Sequence, residues 1–430
     1  MKLILGLGET GLSLAKFLTS KGIEFKIADS RLMPPLIDEY IYTPTPVLGD
    51  WTKDLLDGVD EAFISPGIAK SESIYVWLLE QKISVVSDIE LFSRYVSSPV
   101  IGITGSNGKS TVTRLVGDMI QNSGYKVAVG GNLGMPALEL ISDDIEYYVL
   151  ELSSYQLDYT SDLDLFIGVV LNITPDHLDR YDSYQSYINS KLSIYNYCQN
   201  CVVNADEQYT KTITADKYFS TKAKTDDLLK TINRVGDNLL NGNSLIISTN
   251  DIALMGEHNI ENVMASFAIG ALLGLPINAM TKTVRHFKGL EHRLERVAIV
   301  DNKEYFNDSK ATNVISAITG LTAIVSSYNQ IVLIAGGIAK KEDYSELYNL
   351  INDKVSYVIL IGISADYLAK GVDNSKVKFA STMKDAVNLA SGLIDSGAIL
   401  LSPACASFDM FDNFEKRGHE FKKSVFRLGS

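Results

Sequence analysis

The chain is poor in cysteine, in positive charge and in long apolar runs, and each scarcity removes a class of protein. Three cysteines in 430 residues, Cys198, Cys201 and Cys405, cannot form the disulfide framework of a secreted domain. Cys198 and Cys201 spell CQNC, but no second ligand pair follows at zinc-site spacing, so they read as buried small hydrophobes. Lys and Arg number 39 against 52 Asp and Glu, a formal charge of -13, which argues against non-specific nucleic-acid binding. Any anionic substrate must then be met by a local positive pocket. No stretch approaches the roughly 18 apolar residues a spanning helix needs. The opening MKLILGLGETG passes from one lysine and a short apolar run into glycines that begin a fold, not into a signal-peptide cleavage site. A cytoplasmic protein without membrane insertion is expected.

What is present is ordinary globular composition, 46% hydrophobic and 21% charged, at a length that suggests about three domains. Residues 1 to 97 alternate apolar runs (LILGLG, FKIAD, EAFISPG, SVVSD) with amphipathic stretches, as βα units do. After SSP at 97 to 99 a second α/β block runs from PVIGIT through EYYVLEL, DLFIGVVLNIT and CVVNAD. Residues 206 to 255 turn rich in Thr, Lys, Asn and Asp and predict a peripheral β extension with strand pieces at SLIIST and IALM. A third block (QIVLIAGG, VSYVILIG, GAILLSPA) again implies a parallel sheet. The expected fold is α/β in three domains: a Rossmann-like domain at 1–97, a P-loop-type central domain with the β extension at 98–293, and a Rossmann-like domain at 294–430.

Gly6-x-Gly8-x-x-Gly11 follows the first apolar run, and Asp29 ends the next. This is the pattern of a dinucleotide turn: a tight strand-to-helix turn, a close approach for a phosphate, and close helix–sheet packing, with an acid for a ribose hydroxyl. The same turn serves any phosphate-bearing ligand, so NAD, another nucleotide and simple tight packing all fit it.

The strongest chemical statement is VIGITGSNGKSTVTRLVGDMI at 100 to 120. A strand runs into Gly105-Ser106-Asn107-Gly108-Lys109-Ser110-Thr111 and a helix leaves, the setting in which backbone N–H groups wrap a phosphate. Lys109 then neutralises transferring charge and Ser110 reaches Mg2+. In GxxxxGK[ST] the first glycine would stand at Ile103, so an ordinary GTPase is disfavoured. A metal needs acidic oxygens at strand ends, which Glu151 in YYVLEL supplies; Asp176, His177 and Asp179 follow the next strand in NITPDHLDRY.

GSNGKS, ELSSYQLD, NITPDHLDRY with SYINSKLSIY, GEHNIENVMAS, GLEHRLE, FNDSKATN and LLSPACASFD together resemble the ATP-dependent Mur ligases of bacterial cell-wall synthesis, relatives of folylpolyglutamate synthetase. With GLGETG, DSR and SPGI ahead of them, they look most like the members that join D-glutamate to UDP-N-acetylmuramoyl-L-alanine. The resemblance implies that ATP phosphorylates the terminal carboxylate of that substrate and the amine of D-glutamate attacks the acyl phosphate. The remaining alternatives are a sister ligase or folate-type ligase for another amino acid and, on the first turn alone, an NAD-dependent oxidoreductase.

Carried over residue by residue, the resemblance gives ATP the segment Gly105 to Thr111, Asn259, Asn262, Arg293 and Asp308. It gives Mg2+, at two sites, to Ser110, Glu151, His177 and Lys191, the last as a carbamate formed with CO2; Lys109, Glu151, His177 and Lys191 are its catalytic set. Without it, Lys191 reads as a solvated helix lysine. The UDP-sugar falls to Gly8, Glu9, Thr10, Asp29, Ser30, Arg31, Ser65, Pro66, Gly67 and Asn132. D-glutamate falls to Lys310, Thr312, Ser407, Phe414 and Lys340, with Lys341 a second choice in GGIAKKED. Glu9 is an unfavourable charge beside a diphosphate unless it points away. A monomer is expected.

Overall fold

The computed structural model describes residues 1–176, 180–222, 228–340 and 342–428. Within them the chain builds three sheets, each positioning one set of the residues above. Two compact units divide the chain: residues 1–252 with 260–285, and residues 253–259 with 286–430.

In the first unit, Lys2–Leu5 is the centre of a five-stranded parallel sheet in the order Val47–Leu48, Phe25–Asp29, Lys2–Leu5, Glu61–Ile64, Ser84–Val86. Its three central strands bury Leu, Ile, Ala and Phe at successive positions, as strands of a parallel sheet covered on both faces do. The order reverses at Lys2–Leu5, so the loops leaving that strand and Glu61–Ile64 flank the crevice where α/β sheets bind ligands.

The second sheet of this unit has nine strands; from its middle strand to one edge run Cys198–Asn204, Leu165–Val170, Val100–Thr104, Tyr147–Glu151 and Val127–Gly131, all parallel. Aromatic and aliphatic side chains of both sheets share one core: Phe92 meets Tyr148 edge-on at 5.0 Å. The Thr/Asn-rich stretch after 206 extends this same sheet: Lys217–Ser220 and Thr231–Val235 add in parallel, then Asn238–Asn241 and Ser244–Ser248 as antiparallel hairpin strands. The expected strand at IALM is absent. A short 3-10 turn, Thr249–Asp251, ends the hairpin, and Ile252 to Met255 form no strand.

The second unit holds a six-stranded sheet, Glu295–Val300, Lys303–Asn307, Gly397–Leu401, Ile331–Gly336, Tyr357–Ile361, Val377–Phe379. It is parallel apart from the first pair, an antiparallel hairpin that the alternation did not announce. Among the described residues no helix is long and apolar enough to cross a membrane.

Candidate active site

The phosphate loop follows the strand Val100–Thr104 and leads into the helix Lys109–Asn122. Gly108 precedes the helix with φ +84, left-handed backbone that glycine adopts freely, and a Cβ there would lie 2.2 Å from Asn262 Oδ1. The loop is braced from the neighbouring strand: Ser106 N–H donates to the Asn172 carbonyl (2.9 Å) and Asn107 N–H to Asn172 Oδ1 (2.8 Å). Ser106 Oγ also meets the Tyr187 hydroxyl at 2.8 Å, tying the loop to the helix Tyr184–Leu192.

That helix carries Lys191, which is 2% exposed. Its Nζ donates to the Gly105 carbonyl at 2.9 Å, and Lys109 Nζ donates to the same oxygen at 2.8 Å and to Ser106 O at 3.1 Å. Burial, with Lys109 as a like charge nearby, holds the Lys191 amine well below the ordinary lysine range; Asp176, Glu151 and Asp158 oppose this with smaller effect. The solvated lysine of the sequence reading is therefore a buried one.

Glu151, at the end of its strand and 3% exposed, accepts from Ser110 Oγ (2.5 Å) and from Asn132 Nδ2 (2.7 Å). A buried carboxylate, a hydroxyl and an amide thus meet beside backbone that can wrap phosphate. Hard oxygen donors of this kind fit Mg2+, so Ser110 and Glu151 are the groups present that would hold it. Thr111 is buried in the helix's first turn. His177 and Asp179 lie outside the described residues, as does Lys341.

In the first sheet the three glycines divide their work as the motif requires. Gly6 has φ +94, and a Cβ on it would strike Ser65; Gly8 faces open space; a Cβ on Gly11 would strike the Gly6 carbonyl. Glu9 begins the helix Glu9–Ser20 and is exposed, and Thr10 follows, half-buried. Asp29 is 2% exposed and accepts four donors: Leu7 N–H (2.7 Å), Arg31 N–H (2.9 Å), Arg31 Nε (2.8 Å) and Arg31 Nη2 (2.6 Å). Burial would raise its pKa, but these donors prevail and lower it. Ser30 and Arg31 are exposed beside it.

One residue of this unit was missed. Arg180, the arginine of NITPDHLDRY, donates to the carbonyls of Gly67 (2.8 Å), Pro66 (2.8 Å) and Ile68 (3.2 Å) and stacks on Tyr155 with Cζ 4.5 Å from the ring centroid. The only signal for it was a cation closing a polar loop after a strand.

The second unit contains a hollow of about 170 Å³ lined by Met255, Asn259, Lys288, Arg293, Leu294 and Phe306. Asn259 Nδ2 donates to the Met255 carbonyl at 2.7 Å. Next to Leu294, Asp308 accepts from the Leu294 N–H (3.1 Å) and from Ser402 Oγ (2.8 Å), and burial pushes its carboxyl up to about 7. Gly320 leaves room for that carboxylate, since a Cβ there would lie 2.3 Å from Oδ2. Lys310 Nζ sits 3.8 Å from the Phe414 ring centroid, a close cation–π pair. Lys310 and Thr312 are joined by a backbone hydrogen bond (Thr312 N–H to Lys310 O, 2.8 Å), and Ser407 is buried while Lys340 is exposed.

The CQNC thiols lie 3.2 Å apart on the strand Cys198–Asn204, half-buried. No group of three metal-ligating side chains among the described residues includes them.

A phosphate loop and a buried acid at strand ends of one sheet, a buried lysine on a helix beside the loop, and a separate Gly-rich turn suit an ATP-using enzyme of the Mur type. Residues 103–270 match the Mur ligase middle domain and residues 1–87 the MurD-like N-terminal domain of Mur ligases. The chain is 38% identical to the UDP-N-acetylmuramoylalanine--D-glutamate ligase of Marinobacter nauticus, over 98% of this chain and 97% of that one. It is 40% identical to the ligase of the same name from Nitrosococcus oceani, over 98% and 95%. Among solved structures, UDP-N-acetylmuramate-alanine ligase of Thermotoga maritima matches with TM-score 0.62 at 14% identity, covering 100% and 99% of the two chains. A pseudomurein peptide ligase type C of Methanothermus fervidus gives 0.60 at 18%, covering 99% of each. The chain belongs to the Mur ligase family. Within it, relatives matched over nearly their whole length, these two and one from Acinetobacter baylyi, carry the name UDP-N-acetylmuramoylalanine--D-glutamate ligase.

Proposed function

We propose that this chain joins D-glutamate to UDP-N-acetylmuramoyl-L-alanine at the expense of ATP, in the cytoplasm and as a monomer. The observation that carries the reading is the meeting of Lys109, Lys191, Ser110 and Glu151 around the loop 105–110, in a chain 38–40% identical to D-glutamate ligases over nearly its whole length.

A carboxylate is a poor electrophile, and phosphorylation supplies a leaving group. The γ-phosphoryl of ATP passes to the L-alanine carboxylate as ADP leaves; the neutral amine of D-glutamate then attacks the acyl carbon, and inorganic phosphate and the amine's proton are released as the amide forms. Catalysis is then mainly positioning and charge neutralisation. Residues 105 to 111 wrap the phosphates through backbone N–H groups, and Lys109 swings from the loop carbonyls to the transferring oxygens. Ser110 and Glu151 would hold Mg2+, which supplies charge neutralisation at the phosphate oxygens; His177 and carbamylated Lys191 would serve a second ion. The depressed basicity of Lys191 supports carbamylation, because only the neutral amine reacts with CO2.

Residues 1–97 would hold the UDP-sugar through Gly8, Thr10, Ser30, Arg31 and Ser65 to Gly67, with Asn132 added from the 98–293 region. Asp29 would act through Arg31, and exposed Glu9 would point away. Asn262 would touch ATP; Asn259 and Arg293 line the hollow of about 170 Å³, Asp308 adjoins it, and these three would suit adenine and ribose. Residues 294–430 would take D-glutamate with Lys310, Thr312, Lys340, Ser407 and Phe414.

The test supplies ATP, Mg2+, UDP-N-acetylmuramoyl-L-alanine and single amino acids, and reads ADP and product mass. ADP and a product with D-glutamate alone are expected; no ADP with D-glutamate overturns the proposal.

A further inference from the structure

The loop Ser65 to Ile68, given above to the UDP-sugar, is fixed by side chains from the phosphate-loop sheet. Arg180 caps the carbonyls of Pro66, Gly67 and Ile68, and the Tyr159 hydroxyl donates to Ile68 O at 2.7 Å. In a trans peptide the carbonyl and the following N–H point in opposite directions. Holding three successive carbonyls toward Arg180 therefore sets the direction of the next three N–H groups. One of them, Ile68 N–H, closes the turn on Ser65 O at 3.0 Å. The same turn packs on the first Gly-rich turn, where a Cβ on Gly6 would come within 2.7 Å of Ser65 Cβ.

Arg180 itself closes the loop that follows the strand Leu165–Val170. Earlier in that loop Asn172 braces Ser106 and Asn107 of the phosphate loop, and Thr174 accepts the Ser106 hydroxyl on its carbonyl at 3.0 Å. Residues 172 to 174 thus touch the phosphate loop, and Arg180 the Ser65–Ile68 loop. The planar fork of arginine, stacked on Tyr155, can reach several carbonyls at once; a lysine ammonium cannot stack and reach in this way.

We propose that Arg180 is a positioning residue for the UDP-linked substrate, holding the Ser65–Ile68 loop in the form that receives it. This rests on the ligase reading above. The experiment is calorimetric titration of UDP-N-acetylmuramoyl-L-alanine, and separately of a non-hydrolysable ATP analogue, into the wild-type chain, Arg180→Lys and Arg180→Ala, together with KM for both substrates and thermal melting. Arg180→Ala is expected to weaken binding of the UDP-linked substrate, and to raise its KM, by roughly tenfold or more, with a smaller loss in Arg180→Lys. The ATP analogue should bind all three within about twofold. Variants that bind the UDP-linked substrate like the wild type overturn the assignment. So does an equal loss for both ligands with lowered melting, which marks a merely structural arginine. A wild-type chain that does not bind the UDP-linked substrate overturns the ligase reading itself, and that result is distinct from both.

Discussion

Lys109 and Lys191 share one acceptor, the carbonyl oxygen of Gly105, at 2.8 and 2.9 Å. Two ammonium groups so close and so poorly solvated cannot both keep their charge cheaply, and the buried one yields. A neutral amine at Lys191 is the form that captures CO2, and the resulting carbamate would turn a repulsion with Lys109 into an attraction. Lys191→Ala should therefore lose at least about a hundredfold in turnover, with partial recovery in acetate. Wild-type turnover should fall in CO2-depleted buffer and return with bicarbonate, while the variant ignores bicarbonate. ADP release measures all three, and undiminished turnover in the variant excludes the role.

Gly108→Ala combines two costs at one position. The left-handed φ of +84 disfavours any Cβ, by about 1–2 kcal/mol, and the new methyl would overlap Asn262 Oδ1 at 2.2 Å. Loss of ATP-analogue binding by roughly tenfold or more is expected, with the UDP-linked substrate little affected. Equal titration curves for variant and wild type would show that the loop relaxes freely.

Asp308 ionises near neutrality, at about 7, because it is buried beside only two neutral donors and Arg293. Below that value it is a neutral acid, and above it a carboxylate able to accept ribose hydroxyls. KM for ATP should fall as pH rises through about 7, and Asp308→Asn should flatten that slope. An unchanged slope in Asp308→Asn places the titration elsewhere.

Asp88 gives a stability signature of its own. It begins the helix Asp88–Ser93, is 4% exposed, and burial lifts its carboxyl to about 6 although Gln156 Nε2 donates to it at 3.5 Å. A folded pKa above the unfolded value of about 3.9 favours the fold while the group is protonated. That contribution is complete below about pH 4 and lost as pH rises through about 6. Asp88→Asn should gain on the wild type across this window, by on the order of 1–3 kcal/mol at its upper end. Urea unfolding at both ends of the window reads the difference, and a constant offset would refute it.

Legibility in the sequence followed the range of the interactions concerned. The two glycine turns and Glu151 were readable because strand, turn and helix are consecutive, so local pattern alone places them. Lys191 was not: SYINSKL looks like a surface helix, and only its packing under the loop at Gly105 buries the amine. Its role came from resemblance to a family. Arg180 was invisible for the same reason, since the carbonyls it serves belong to residues 66 to 68. The hairpin that starts the last sheet was hidden because every side chain of Glu295–Val300 is partly or fully exposed, so this strand lacks the buried apolar run that marks the others.

The carboxylate of Asp29 offers about four lone-pair directions, and Leu7 and Arg31 supply four donors to meet them. A ribose diol arriving at this strand end would have to compete with the chain's own donors for every one of them, three of the four from Arg31. Glycine spacing alone makes the first turn look interchangeable with that of a nicotinamide enzyme. What separates the two is the occupancy of one acid: an open acceptor reads a sugar edge, whereas an acceptor sealed by its neighbour presents that neighbour's cation. Redesigning the turn toward a dinucleotide would accordingly begin with the removal of Arg31 and leave the glycines in place.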